Sequence, residues 1–336
     1  MQAATRYAEV LEVAEREGVD GPVRLADGRA LVPELQVLEK MLLGLAKQAP
    51  GNAARAAGHL LAAGGKRLRP MVLFLCARAF GEEPRGLAEL AAVAELTHSA
   101  TLLHDDVIDM GEERRHQPAA RVIWGNAVSV LAGDFLLVQA LLLARASARP
   151  DSADALLKVM ERMVAAEIHQ LALRGQISAR EHDYWEVVSG KTASLFEFCA
   201  EQGALAGGAT AEQAKSAARF ATELGTAFQV VDDLIDFEGK PEVAGKSVMR
   251  DLAEGKLTLP VLRALEARPE LRPQVAACDA PEALGKALQA TGVGAQVRRE
   301  VNERLERALA ALRELPESPI RVALEALSRA AVERSA

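Results

Sequence analysis

Residues 297–315 read "VRREVNERLERALAALREL". Val297, Val301, Leu305, Ala308, Leu309, Leu312 and Leu315 recur at three- and four-residue spacing, with Arg and Glu between them. Each helical residue turns about 100°, so these apolar groups share one stripe of an α-helix; a strand would need strict alternation. The same texture runs through the whole chain. Ala, Leu, Glu and Arg, all strong helix formers, dominate, and alternating segments bounded by turn residues are scarce. Pro/Gly clusters at Gly64–Pro70, Gly203–Thr210 and Gly239–Gly245 read as turns between helices. No internal repeat or long linker divides the 336 residues. The expectation is an all-α protein: a helical extension over residues 1–50, packed on a main domain over residues 51–336.

Half of the chain is hydrophobic, which is ample for a large core, and only 4% is aromatic, so aliphatic side chains must fill it. A net charge of −7 gives no general attraction to nucleic acid or to an anionic membrane. Cys76, Cys199 and Cys278 are few, odd in number and far apart, which fits a reducing cytoplasm and no disulfide framework. The charged, amphipathic start "MQAATRYAEVLEVAEREG" is unlike a signal peptide. No uninterrupted apolar run of about 18 residues is present, so no membrane span is expected.

The stretch "LLHDDVIDMGEERRH" (Leu102–His116) places Asp105, Asp106 and Asp109 after an apolar segment and Arg114 and Arg115 after the aspartates. On a helix Asp105 and Asp109 share a face, and Asp106 stands about 100° round from Asp105. Three carboxylates so close repel one another, and a hard divalent cation relieves them. Mg²⁺ suits, because it takes oxygen ligands and keeps places for water and phosphate. The pattern returns in "FQVVDDLIDFEGK" (Phe228–Lys240) as Asp232, Asp233 and Asp236, embedded in Val230, Val231, Leu234, Ile235 and Phe237. Two acidic triplets set in apolar helices suggest two facing helices that clamp metal ions. A diphosphate is the natural anion to complete such a cluster.

Cations that a diphosphate would want are interleaved with these motifs. They are Lys66, Arg67 and Arg69 in "GGKRLRP", Arg114 and Arg115, Lys191 and Thr192 in "GKTASLF", and Lys246 and Lys256. Arg grips phosphate through paired hydrogen bonds and Lys as a compact charge. "GGKRLRP" is not a P-loop, since GxxxxGK[ST] is missing. His98, His104 and His116 lack a usual zinc spacing. His98 lies seven residues before Asp105 and Gln229 four before Asp233, each on the face of its aspartate.

In order and spacing, "GGKRLRP", "LLHDDVIDMGEERR", "GDFLL", "EIHQL", "KTASLF", "AFQVVDDLID" and "GKSVMRDLAEGKLTLP" resemble the motifs of the trans-isoprenyl diphosphate synthases, the polyprenyl synthetase family. The likeness runs from about Gly64 to the C-terminus and is greatest to the long-chain polyprenyl and octaprenyl members. It implies a single large helical bundle of the isoprenoid-synthase type around a central apolar cavity, working as a cytoplasmic homodimer with at most peripheral membrane contact for product release. It implies Mg²⁺, about three ions per site with diphosphate bound and Mn²⁺ as a substitute, held by Asp105, Asp106, Asp109, Asp232, Asp233 and Asp236. Those six and Lys191 would be catalytic. Arg114, Lys191, Thr192, Gln229 and Lys246 would hold an allylic diphosphate (farnesyl or geranylgeranyl); Lys66, Arg69, His98 and Arg115 would hold isopentenyl diphosphate. The reaction implied is ionisation of the allylic C–O bond, attack by the isopentenyl double bond and loss of a proton.

Two positions depart from the family pattern. His116 stands where glycine usually follows the paired arginines, and the family often has a glycine near Met249. Product length is expected from the residues one turn, about 5.4 Å, before Asp105. Short-chain members carry bulky aromatics four and five positions before that aspartate; here Thr101 and Ala100 are small. A product of C30–C50 is expected, octaprenyl first, for quinone side chains. The alternatives are a short-chain farnesyl or geranylgeranyl diphosphate synthase, a terpene cyclase (which usually alters the second aspartate motif), a noncatalytic partner subunit (which would have lost aspartates) and a plain helical scaffold.

Overall fold

The structure is a computed structural model that describes residues 31–81, 86–147, 149, 151–239, 249–277 and 281–333. Its helices, in chain order, are α1 (Val32–Ala46), α2 (Asn52–Ala62), α3 (Leu68–Arg78), α4 (Leu87–Ile108), α5 (Ala120–Trp124), α6 (Asn126–Ala146), α7 (Ser152–Leu173), α8 (Glu181–Val188), α9 (Ser194–Ala206), α10 (Ala211–Glu238), α11 (Arg250–Ala253), α12 (Leu259–Ala267), α13 (Arg272–Ala277), α14 (Pro281–Gln289), α15 (Val293–Leu312) and α16 (Pro319–Val332). Strand among the described residues is limited to a hairpin, β1 (Glu113–Arg114) with β2 (Gln117–Pro118). The fold is all-α, as the periodicity implied. In the opening stretch, Val297, Val301, Leu305, Ala308, Leu309, Leu312 and Leu315 are all buried. Of the expected N-terminal extension, residues 1–30 lie outside the described residues.

The described residues form two compact units: those within 31–157, 198–218 and 312–327, and those within 158–197, 219–311 and 328–333. In the first unit α3 and α4 are the interior helices. Met71–Ala77 of α3 and Leu90–Thr97 of α4 are buried all round, as helices without a polar face must be. Helix α4 packs along α6, α3 and α1, and α6 also covers α2 and α5. In the second unit α12 packs on α8 and α14.

Two expectations change at this level. Gly203 is not in a turn, because α9 runs on to Ala206. A Cβ at Gly203 would come within 2.4 Å of Leu73 O, and one at Gly207 within 2.0 Å of Ala77 O. These glycines mark a close approach to the α3 backbone, and the turn proper begins after Ala206. Helix α6, in turn, is long and apolar enough to cross a membrane by length and composition, although its apolar run is interrupted. Asp134 interrupts the run. A third of its most apolar window is buried inside the protein.

Candidate active site

In the first unit, Asp105 and Asp106 sit in the last turn of α4, and Asp109 is its C-cap with φ −87° and ψ 0°. Asp109 N donates to Asp105 O at 2.8 Å, so the two keep their one-turn stacking. Asp106 turns inward and is buried. Its Oδ1 accepts from Arg114 Nε at 2.9 Å and Nη2 at 2.5 Å. Its Oδ2 is shielded from solvent and has no hydrogen-bond partner. Arg114 is thus engaged with an aspartate of the motif it follows.

The hairpin after α4 carries Arg115 and His116 as its two-residue loop, with φ 55° and 61°. Positive φ at both loop positions is the signature of a type I′ turn, where glycine is favoured. The departure at His116 therefore falls on a left-handed residue. Arg115 lies against the "GGKRLRP" loop: a Cβ at Gly65 would be 3.0 Å from its Nη2. Burial, then the Arg67 charge, pushes Arg115 down to about 10. Burial, followed by Arg69, Arg115, Arg67 and Arg114, holds His98 well below its ordinary value and hence neutral. Arg67, left-handed at φ 48°, is turned in and bonded to Glu39 (2.6 and 3.0 Å) and Glu95 (2.6 Å). Lys66 is exposed and Arg69 half-buried. The Arg67 and Arg114 charges beside a buried Arg115, which they help to depress, make a site that an anion would relieve. Thr101 is half-buried and donates to His98 O at 2.8 Å; Ala100 is buried.

In the second unit, Asp232, Asp233 and Asp236 lie in the last two turns of α10. Asp232 is exposed and Asp233 buried. Asp233 Oδ2 accepts from Tyr184 Oη at 2.6 Å and its Oδ1 from Gln229 Nε2 at 2.8 Å. Gln229 Oε1 accepts in turn from Thr192 Oγ1 at 2.7 Å. The face shared by Gln229 and Asp233 is thus a bonded pair. Burial first, and then the Asp251 charge, push Asp233 up to about 8. Asp236 accepts from the backbone N–H of Arg250 and Asp251, both at 3.1 Å. Asp251 is pushed up to about 7 by burial and by Asp236.

Lys191 and Thr192 sit in a π-helical turn, Ser189–Ala193. Such turns insert a residue into a helix and recur at functional sites. Gly190 permits this one to sit close to α7, since a Cβ there would be 2.6 Å from the Ala166 side chain. Lys191 Nζ pairs with Glu167 and donates to Gln170 Oε1 at 3.0 Å. Lys191, Thr192, Gln229, Asp233, Asp251 and Tyr184 line one open pocket of this unit. Lys246 lies outside the described residues. Met249 has φ 63° and caps α11, so the second departure also falls on a left-handed residue.

Tyr184, Asp251, Glu167 and Gln170 were missed from the sequence as site residues. Asp251 stands inside "GKSVMRDLAEGKLTLP", an acid in a motif already singled out. Tyr184 is seven residues before Lys191, with no pattern of its own.

A family model described as "Polyprenyl synthetase" matches residues 52–288. The chain belongs to the polyprenyl synthetase family. This polyprenyl synthetase is 36% identical over 284 residues to an octaprenyl diphosphate synthase of Escherichia coli, covering 82% of this chain and 88% of that one. It is 37% identical over 222 residues to a geranylgeranyl diphosphate synthase of Methanosarcina mazei, covering 65% and 68%. Among solved structures it resembles a decaprenyl diphosphate synthase from Rhodobacter capsulatus, with a TM-score of 0.85 and 30% identity over 98% of this chain and 99% of that one. The synthetase is a prenyltransferase of the all-α isoprenoid-synthase fold.

Proposed function

We propose that this synthetase condenses isopentenyl diphosphate with an allylic diphosphate, farnesyl or geranylgeranyl, to give a long all-trans polyprenyl diphosphate of C30–C50, octaprenyl first, in the cytoplasm and as a homodimer. The observation that carries the product length is the pair of small residues, Thr101 and Ala100, one turn before Asp105. The likeness to an octaprenyl synthase over most of the chain supports it.

The donor set fits a hard divalent cation. Every proposed ligand is a carboxylate oxygen, the buried Asp106 Oδ2 has no hydrogen-bond partner, and Asp233 and Asp251 are both pushed up beside other acids. Mg²⁺, when bound by Asp105, Asp106, Asp109, Asp232, Asp233 and Asp236, would supply charge neutralisation on the leaving diphosphate. Asp251 is a further candidate ligand.

The chain's own groups do the rest. Lys191, released from Glu167 and Gln170, binds an oxygen of the allylic diphosphate with Thr192, Gln229, Arg114 and Lys246. The allylic C–O bond breaks, and its electron pair leaves on the diphosphate. Arg69, Arg115, Lys66 and neutral His98 hold isopentenyl diphosphate so that its double bond forms the new C–C bond at the allylic carbon. A proton then leaves C2 of the isopentenyl unit for the released diphosphate. Preorganised cations of this kind act where charge develops.

Purified protein incubated with Mg²⁺, farnesyl diphosphate and labelled isopentenyl diphosphate, with products resolved by length, tests the reading. Products of C30–C50 support it. Products that stop at C15 or C20 with every primer favour the geranylgeranyl-type alternative, in keeping with the relative from Methanosarcina mazei.

A further inference from the structure

Outside the aspartate motifs, α7 and α8 bring together a group of donors that the reaction leaves unused. His169 Nε2 lies 3.7 Å from Asp183 Oδ1 and 3.7 Å from Glu186 Oε2. All three donor atoms fall within 4.8 Å of one another. His182 Nε2 stands 3.3 Å from the other Glu186 oxygen, Oε1. On α8, Glu186 is four residues from His182 and three from Asp183, and so adjoins each of them on the helix surface. Asp183 is fixed independently of this group. Its Oδ2 accepts from Arg180 N at 2.8 Å and caps the helix, which leaves Oδ1 for His169.

The second observation is His169 Nε2 itself. It is shielded from solvent and has no hydrogen-bond partner. An imidazolium bonded between two carboxylates would close to about 2.7–3.2 Å, and 3.7 Å to each is too long for that. It is close to the separation of ligands that share an ion. With donor–metal distances of about 2.0–2.2 Å, donors in a tetrahedral shell stand about 3.4 Å apart.

We infer that His169, Asp183 and Glu186 form a site for a transition-metal dication of the zinc class, with His182 paired to the second oxygen of Glu186. An imidazole ligand favours Zn²⁺, Co²⁺ or Ni²⁺ over Mg²⁺, which prefers oxygen. None of the six motif aspartates belongs to this group, so it is separate from the diphosphate chemistry. Its place gives it a role. Asp183 and Tyr184 of α8, and Gln170 of α7, line the pocket that holds Lys191 and Asp233. An ion bridging α7 and α8 pins two walls of that pocket together.

The test uses chelator-stripped full-length protein without Mg²⁺. Zn²⁺ is titrated calorimetrically, and Co²⁺ is followed through its visible absorption. One Zn²⁺ per chain is expected, bound at least tenfold more tightly than in His169→Gln, with a rise in thermal midpoint that His169→Gln loses. Because His169 is part-exposed, helical circular dichroism should survive the substitution. Glu186→Gln, on an exposed side chain, repeats the test. Asp105→Asn should keep the Zn²⁺ site. Equal Zn²⁺ affinity in the parent and His169→Gln, only millimolar binding in the parent, or loss of the site in Asp105→Asn alone would each overturn the assignment.

Discussion

A carboxylate such as Asp233 is costly to charge where it sits. An aspartate in an unfolded chain titrates near 3.9; here burial and Asp251 push Asp233 up to about 8. The folded state holds the proton more tightly. The penalty is therefore absent below about pH 4, grows as pH rises towards 8, and destabilises the metal-free fold over that window. Thermal midpoints of chelator-treated protein should fall by a few degrees between about pH 5 and 8.5, and Asp233→Asn should flatten the slope. Tyr184 works in the opposite sense, because its hydroxyl donates to the ionised carboxylate. A hydrogen bond to a charged group contributes about 1.5–3 kcal/mol. Tyr184→Phe should thus raise the Mg²⁺ concentration for half-maximal activity by about tenfold or more, with the far-ultraviolet spectrum unchanged; an unaltered Mg²⁺ curve would remove Tyr184 from any positioning role. The two departures from the family pattern, both left-handed, should respond differently to glycine. A non-glycine residue in this region costs about 1–2 kcal/mol. His116 is exposed, so His116→Gly should gain up to about 1 kcal/mol after the entropy that glycine adds to the unfolded chain. Met249 is 1% exposed, and losing its burial costs about 1.5–3 kcal/mol, so Met249→Gly should be neutral or destabilising. Denaturant midpoints of both variants decide the matter.

At the scale of elements, periodicity was the dependable guide. The stripe in residues 297–315 became the buried face of α15 and its continuation, because an aliphatic helix without tertiary packing is marginal and must bury that face. Composition misled where glycine served packing rather than turning. Gly203 and Gly207 let α9 approach the α3 backbone, and no local signal separates that use from a loop. Gly207→Ala would force a Cβ to 2.0 Å from Ala77 O. A carbonyl within a helix cannot swing aside as a side chain can, so this substitution should cost about 3 kcal/mol, seen as a lower urea midpoint with an unchanged slope. The pairing of Gln229 with Asp233 and the stacking of Asp105 on Asp109 were legible because helical spacing fixes what shares a face. Tyr184 was not, because its bond to Asp233 spans 49 residues and depends on how α8 meets α10. Asp251 was half-legible: the motif was visible, but its closeness to Asp233 and Asp236 depends on the chain's path after α10.

For the molecule as a whole, α6 leaves apolar surface to be covered. Ser129, Ala132, Leu136, Ala140 and Ala144 form its buried side. Val130, Leu131, Val138 and Leu142 stand 37–62% exposed on the other. A bilayer would have to surround the helix on both sides. That would strip away its packing against α4, including the bond from Ser129 Oγ to Leu103 O at 3.0 Å, and would carry Asp134 into hydrocarbon at a cost of about 2.5–3.5 kcal/mol. A second copy of this chain needs only the exposed side, where Leu131, Val138 and Leu142 fall within about 40° of one another around the helix. The homodimer implied by the family likeness would account for it. Leu131, 62% exposed and the most exposed of the four, is the residue to change. The parent protein should sediment without detergent at twice the mass of one chain. Leu131→Glu would bring two like charges into an apolar contact, and should lower the association constant at least a hundredfold, about 2.7 kcal/mol, while the helical spectrum stays unchanged. A single-chain mass for the parent, or an undisturbed dimer in Leu131→Glu, would place the partner surface elsewhere.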